Sequence, residues 1–215
     1  QLMSREDEDV GDAVDPSGSA IEFAVRCGVD ERGARHTAML ALSILDQLAG
    51  IGLIEADELD RRVIEAAAIL RDVGYLVNYS RHHKHSYHLI LNADLPGHSH
   101  HERSLIATVA RYHRKAKPSL SHPEFSMLSA DDQSRVRRLA SVLRIADGLE
   151  RTHAQDIVSV RLRLDGARVV FGCRATENPE VCLWGAQRRS ELFEEVFERV
   201  PAFAWDGAPD EGGGS

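Results

Sequence analysis

The sequence predicts a mainly α-helical domain that ends in a small β-hairpin and one covering helix. Apolar residues recur at helical spacing in five successive stretches between about residues 30 and 147. Clusters of Gly and Pro separate those stretches, and near residue 157 the pattern changes to alternation. The expected organisation is a flexible acidic segment over 1–16, a helical domain over 17–153, a hairpin with its helix over 154–205, and a flexible tail over 206–215.

Asp30 is placed to cap the first helix, and Ala34, Ala38, Ala41, Leu42, Leu45 and Leu48 form its apolar stripe until Gly50 and Gly52 end it. A second helix starts near Asp57, carries Leu59, Val63, Ala66, Ala67 and Leu70, and ends near Gly74. The third opens at His82 or His83 and runs to the Leu95-Pro96-Gly97 turn, and the fourth covers roughly 99–115. The fifth begins at Ser129, whose spacing to Asp132 resembles a capping box, and continues through Val136, Leu139, Ala140 and Leu143. Ile157, Val158, Val160, Leu162 and Leu164 are interleaved with polar residues, Asp165-Gly166 supplies a turn, and Val169 to Cys173 runs back. A last helix over about 179–199 covers the hairpin. The two ends are too poor in apolar surface to offset the entropy of ordering, and the closing Gly-Gly-Gly-Ser resembles a linker. A first residue other than Met hints at a fragment of something longer.

A hydrophobic content of 43% over 215 residues is enough for one core. No window approaches the roughly 18 apolar residues of a membrane helix, and the first thirty residues lack a basic-then-apolar leader. Cys27, Cys173 and Cys182 are odd in number and scattered, which fits a reducing compartment, so a cytoplasmic location is expected. The net charge of -8 disfavours general nucleic-acid binding. Yet residues 71–117 hold eight Lys or Arg against three acids, and eight of the eleven histidines. A basic, histidine-rich middle in an acidic chain suits a phosphate-bearing ligand.

Polar residues interrupt the apolar stripes at particular points. Asp147 lies four residues after Leu143, so its carboxylate points inward from the fifth helix. Left unpaired there, it would cost roughly several kcal/mol, so it needs a cation or strong donors. His113 follows Ile106, Val109 and Ala110 on the inward face of the fourth helix, and Arg71 and Asp72 each follow an alanine four residues earlier. Arg81-His82-His83-Lys84-His85 opens a helix, where free backbone donors and the dipole favour phosphate; the same run also reads as a solvated cap. Arg111, Arg114 and Lys115 end the fourth helix, as an anion site or as simple partners of the dipole.

Six runs carry a family resemblance: GVDERGARHTAMLALSILDQL, EAAAILRDVGYLVNY, HHKHSYHLILNADLPG, ERSLIATVARYHRKAKP, VRRLASVLRIADGLER and PEVCLWGAQRRSELFEEVF. In this order, over about residues 17–200, they resemble the C-terminal His-Asp (HD) type domain of the exopolyphosphatase and guanosine pentaphosphate phosphohydrolase (Ppx/GppA) family. The resemblance implies an HD-type helical domain that follows an actin-like catalytic part cleaving phosphoanhydride bonds, whose glycine-rich phosphate loops this sequence lacks. In the wider superfamily the Ile69-Leu70-Arg71-Asp72-Val73-Gly74 position reads His-Asp, and both residues bind metal. Here Arg71 stands for the histidine, and a guanidinium offers only donors. The first metal histidine of the pattern falls on Gly33, which cannot ligate; His36 is one turn away. The expectation is therefore that Arg71 donates to Asp147, Asp72 or both in place of a metal.

Two functions compete at this level. The first is a non-catalytic phosphate-anion-binding or assembly module, holding polyphosphate or a guanosine polyphosphate on Arg81, His82, His83, Lys84, His85, Arg111, Arg114 and Lys115, with no cofactor. Its partners would be an actin-like catalytic domain on this or another chain, or a second copy in a homodimer. The second is a divalent-metal phosphohydrolase with magnesium or manganese on His36, Asp72, His85, His113 and Asp147, acting on a phosphoester or phosphoanhydride.

Overall fold

The structure, a computed structural model, describes residues 15–209. Helix α1 is Pro16–Arg26, capped by Asp15 Oδ1 on the Ser17 amide at 3.1 Å with Pro16 at its first position. It buries Ala20, Ile21 and Ala24, mainly against the helix over Glu58–Leu70, and no periodicity in the sequence predicts it. Its mixed Ser and Gly content hides the apolar stripe. Residues 1–14 of the predicted flexible segment and 210–215 of the predicted tail lie outside the described residues.

Helix α2 is Glu31–Gly50, and Asp30 caps it through the Gly33 amide at 2.7 Å. Helix α3 is Glu58–Leu70, opened by a reciprocal Asp57/Asp60 capping box. It stops before Gly74, and a single 3-10 turn, Val73–Leu76, follows. Helix α4 is His82–Asn92 and α5 is His100–Arg111. Gly74 is required where α4 meets the turn, because a Cβ there would lie 2.0 Å from the His82 carbonyl. After a short α6, Pro123–Ser126, the central helix α7 runs over Ala130–Leu149. Only half of the expected capping box forms at its start: Ser129 accepts from the Asp132 amide at 3.1 Å, while the Asp132 carboxylate accepts from His101 at 3.0 Å. Nearly every side chain in the second half of α7 is buried, because α2, α3, α5 and the C-terminal helices all pack on it.

The β element has three strands. β1, Ser159–Asp165, and β2, Arg168–Arg174, form the expected antiparallel hairpin with Gly166 at φ 57° in the turn. The predicted single helix over 179–199 is instead two, α8 Glu180–Gln187 and α9 Glu191–Phe197. The break at Arg188-Arg189-Ser190 has two causes, one local and one distant: Ser190 Oγ donates to the Gln187 carbonyl at 2.8 Å, and Arg189 swings to Asp147. Beyond α9, β3 Val200–Trp205 pairs parallel with β2, placing Phe203 opposite Phe171. Pro201 disguises this strand in the sequence; it is tolerated because β3 is an edge.

The sheet is joined to the bundle by Gln47 of α2, which donates to the Val160 carbonyl and accepts from the Leu162 amide, each at 2.9 Å. Phe171, Phe193 and Leu192 continue the helical core without interruption. The protein is thus mainly α with a small β appendage. Among the described residues no helix is long and apolar enough to cross a membrane.

Candidate functional site

The end of α3 delivers Arg71 into the interior. Its Nε donates to Asp147 Oδ1 at 2.8 Å and its Nη1 to the Ala68 carbonyl at 2.6 Å, and Nε lies 3.4 Å from Asp72 Oδ2. The second oxygen of Asp147 faces the Arg189 guanidinium. One inward carboxylate on α7 is therefore held between cations from the end of α3 and the α8–α9 joint. Removing one member of such a buried pair typically costs about 3–5 kcal/mol, since the other charge is left uncompensated.

Asp72 points the other way, toward two imidazoles. His82 Nε2 lies 3.4 Å and His113 Nε2 3.8 Å from Asp72 Oδ1. The Nδ1 atoms face the Tyr79 carbonyl at 3.3 Å and the Ala110 carbonyl at 2.7 Å, and carbonyls only accept, so the rings carry their protons on Nδ1 when neutral. Tyr75 stacks on His82 with centroids 3.9 Å apart. Ser86 clamps the turn, donating to the Arg71 carbonyl at 2.7 Å and accepting from the Gly74 amide at 2.9 Å. Burial alone would raise the Asp72 carboxyl, but Arg71, His82 and His113 outweigh it and hold it well below the usual range. Burial pushes His113 down to about 3, and His83 down to about 4 with help from nearby cationic groups.

Asp72, His82 and His113 are a set that could hold a metal, their ligand atoms lying within 4.8 Å of one another. The surroundings fit a divalent ion poorly. Arg71 is 3.4 Å from one oxygen of Asp72, and Arg114 Nη1 is 3.5 Å from His82 Nε2, so two of the three ligand residues already have a guanidinium neighbour. Two unit charges about 4 Å apart repel by about 4 kcal/mol near a surface, and a divalent ion doubles that. Gly33 lines a recess of about 330 Å³ beside Arg71 and Asp72 and brings no side chain to it.

Several predicted site residues lie elsewhere. His36 and Glu150 form a separate pair, with His36 Nε2 2.8 Å from the Ile157 carbonyl, and His85 is half-buried outside the Asp72 group. His82 and His83, read from the sequence as exposed, are buried because α4 turns both toward α5 and the 3-10 turn. Arg81, at φ 63°, and Lys84 are exposed on the opposite side of the α4 start. Arg111 is buried and paired with Glu124, which takes it out of any free basic surface.

Arg114 and Lys115 instead line a cleft of about 500 Å³ together with Arg144, Arg151, Arg188 and Arg189, and among the described residues no lining residue is acidic. The cleft exists because α7 and α8 cross at a glycine pair. A Cβ on Gly148 would lie 2.6 Å from Ala186 Cα, and one on Gly185 would lie 2.6 Å from the Gly148 carbonyl. Arg144 is buried and shapes the floor, donating to the Tyr112 carbonyl at 3.0 Å and the Lys115 carbonyl at 3.3 Å, which holds Lys115 at φ 63°. Among the described residues its Nε has no hydrogen-bond partner. Burial, and then the charges of Arg114, Arg144 and Arg71, push the Arg189 guanidinium down, against the Asp147 carboxylate that it faces. Arg144, Arg151, Arg188 and Arg189 escaped the sequence reading. The available signals were the seven-residue spacing of Arg144 and Arg151 and the Arg188-Arg189 doublet inside an apparent helix.

A family model described as Ppx/GppA phosphatase, domain III, matches residues 17–170. Proteins named guanosine-5'-triphosphate,3'-diphosphate pyrophosphatase are similar to this chain over shorter stretches. That of Pseudoalteromonas translucida is 33% identical over 92 residues, 43% of this chain and 18% of its own length. That of Vibrio parahaemolyticus is 31% identical over 114 residues, 53% of this chain and 22% of its own. That of Vibrio campbellii is 29% identical over 151 residues, 70% of this chain and 29% of its own. The chain thus spans less than a third of these relatives. With the family model matched over 154 consecutive positions, 17 to 170, the chain belongs to the Ppx/GppA phosphatase family and carries its domain III.

Proposed function

We propose that this chain is a non-catalytic, phosphate-anion-binding domain of an exopolyphosphatase or guanosine pentaphosphatase-like protein, in which Arg71 and Arg189 take the place of a metal on a degenerate HD-type scaffold. The carrying observation is the cleft: among the described residues Arg114, Lys115, Arg144, Arg151 and Arg188 line it with no acidic residue beside them in the lining, and Arg189, paired with Asp147, closes it. Bringing such charges together is unfavourable until an anion joins them, so a polyphosphate gains the energy released when that repulsion is neutralised. The relatives' names, which describe a phosphate-rich nucleotide, point the same way. The partner domain would be the actin-like catalytic part, on this chain or another, in the cytoplasm.

Binding of a short-chain polyphosphate to the purified chain tests this, measured by calorimetry at two ionic strengths. Affinity should fall with salt, because screening weakens partly exposed charges, and Arg151→Ala with Arg188→Ala should reduce it about tenfold or more. Salt-independent binding, or binding untouched by the double variant, excludes the cleft.

A second reading rests on one observation, the convergence of Asp72, His82 and His113. It makes the domain a metal-dependent phosphohydrolase, and its two imidazoles suit a transition ion such as iron better than magnesium. Stoichiometric metal in the purified chain, lost on Asp72→Ala, would replace the first reading with this one.

A further inference from the structure

The geometry points to a nucleobase subsite on Trp184, so that the arginine cleft takes a nucleoside polyphosphate in preference to an unsubstituted phosphate chain. This rests on the anion-binding role of the cleft and names its ligand class. Trp184 lines the cleft beside Gly185 and is 54% exposed. The inner face of α8 is fully used, with Cys182, Gly185 and Ala186 buried, and the helix is pinned to α7 by the glycine contact. Trp184 is thus held outward on a rigid helix. An indole left in water forgoes a large apolar burial, and a phosphate chain has no surface that would cover it.

The neighbouring side chain strengthens the case. The Arg188 guanidinium lies over the Trp184 ring at 5.0 Å from the centroid, and Arg188 also lines the cleft. Ring and guanidinium make a layered platform of the kind on which bases stack, while the other face of the cleft, Arg114, Lys115 and Arg144, presents only donors. One end therefore suits a flat aromatic group and the other a run of phosphates. A volume of about 500 Å³ lies within the range of small-molecule sites, roughly 300–1,000 Å³.

The test compares GTP, ATP and inorganic tripolyphosphate on the purified chain by calorimetry, with metal chelated, for the unaltered protein and for Trp184→Leu and Trp184→Phe. A stacked base contributes about tenfold in affinity on this scale. The nucleotides should bind about tenfold tighter than tripolyphosphate. Trp184→Leu should abolish that margin without weakening tripolyphosphate, and Trp184→Phe should keep most of it. Equal affinity for all three, unchanged in Trp184→Leu, overturns the base subsite while leaving the anion cleft standing. If none of the three binds, the anion role falls, and the subsite with it. A Trp184→Leu protein that changes its oligomeric state and not its nucleotide affinity also overturns the subsite.

Discussion

Arg71 Nε and Asp147 Oδ1 meet at 2.8 Å across 76 residues of sequence, tying the end of α3 to the core-facing stripe of α7. Both side chains are almost fully buried, so the pair is shielded from salt and depends on each member keeping the other. Arg71→Met should therefore destabilise the chain by about 3–5 kcal/mol in urea unfolding. Asp147 would keep Arg189, which sets the loss toward the lower end. Adding Asp147→Leu to Arg71→Met should cost less than the two single losses together, because both remove the same contact, although Arg189 then loses its carboxylate as well. A double variant less stable than the sum of the singles contradicts this account.

The glycine crossing of α7 and α8 makes a separate prediction. Ala at Gly148 or Gly185 drives a methyl to within 2.6 Å of backbone atoms that cannot give way cheaply. The helices must separate, and with them Arg144 and Arg151 on one side and Arg188 and Arg189 on the other. Gly185→Ala should lower stability by about 1–3 kcal/mol, as overpacked sites do, and weaken polyphosphate binding at the same time. Ala at Gly50, where a Cβ meets nothing within 4 Å, is the control and should leave both unchanged.

Much of the bundle is legible in the sequence for an identifiable reason. The stripes of α2, α3, α5 and α7 face a continuous core, so periodicity and burial coincide, and Asp30, Asp57, Ser99 and Ser129 announce the starts. Where the structure departs from the periodicity, a distant contact overrides a short-range signal. Arg188-Arg189 continues a helical pattern, yet the chain breaks there because Asp147, 42 positions earlier, draws Arg189 across. Arg71, Asp72 and Asp147 stand out on inward faces, where charge is anomalous. Arg144, Arg151 and Arg188 do not, since an arginine is read by default as solvated. Their convergence depends on the helix crossing at Gly148, a fact of packing that no local window contains.

The histidines set the response to pH. His113 is buried among Asp72, Arg71 and His82, and its folded value of about 3 lies below the ordinary 6.5. Between those two values the unfolded chain binds a proton that the native chain refuses, so stability falls as pH drops from 6.5 toward 3, by up to about 5 kcal/mol from this group. His83, depressed to about 4, acts in the same direction. The His36–Glu150 pair opposes them. Burial pulls His36 down, but Glu150 outweighs that and raises it, so its contribution is present below 6.5 and is lost as pH rises through the raised value. Glu150 is depressed, despite burial, by His36 and Gln155, so its contribution is present above 4.5 and is lost as pH falls through the lowered value. The pair therefore stabilises most between about 4.5 and 6.5, where the buried histidines already destabilise. Two depressed histidines outweigh one partly buried pair, so the chain should be less stable at pH 5 than at pH 7. Urea unfolding of His36→Gln should show a penalty larger at pH 5.5 than at pH 9. His113→Asn should flatten the fall in stability between pH 7 and pH 5, whatever it does to the value at pH 7. A fall of unaltered steepness in His113→Asn would mean that this imidazole does not govern the acid limb.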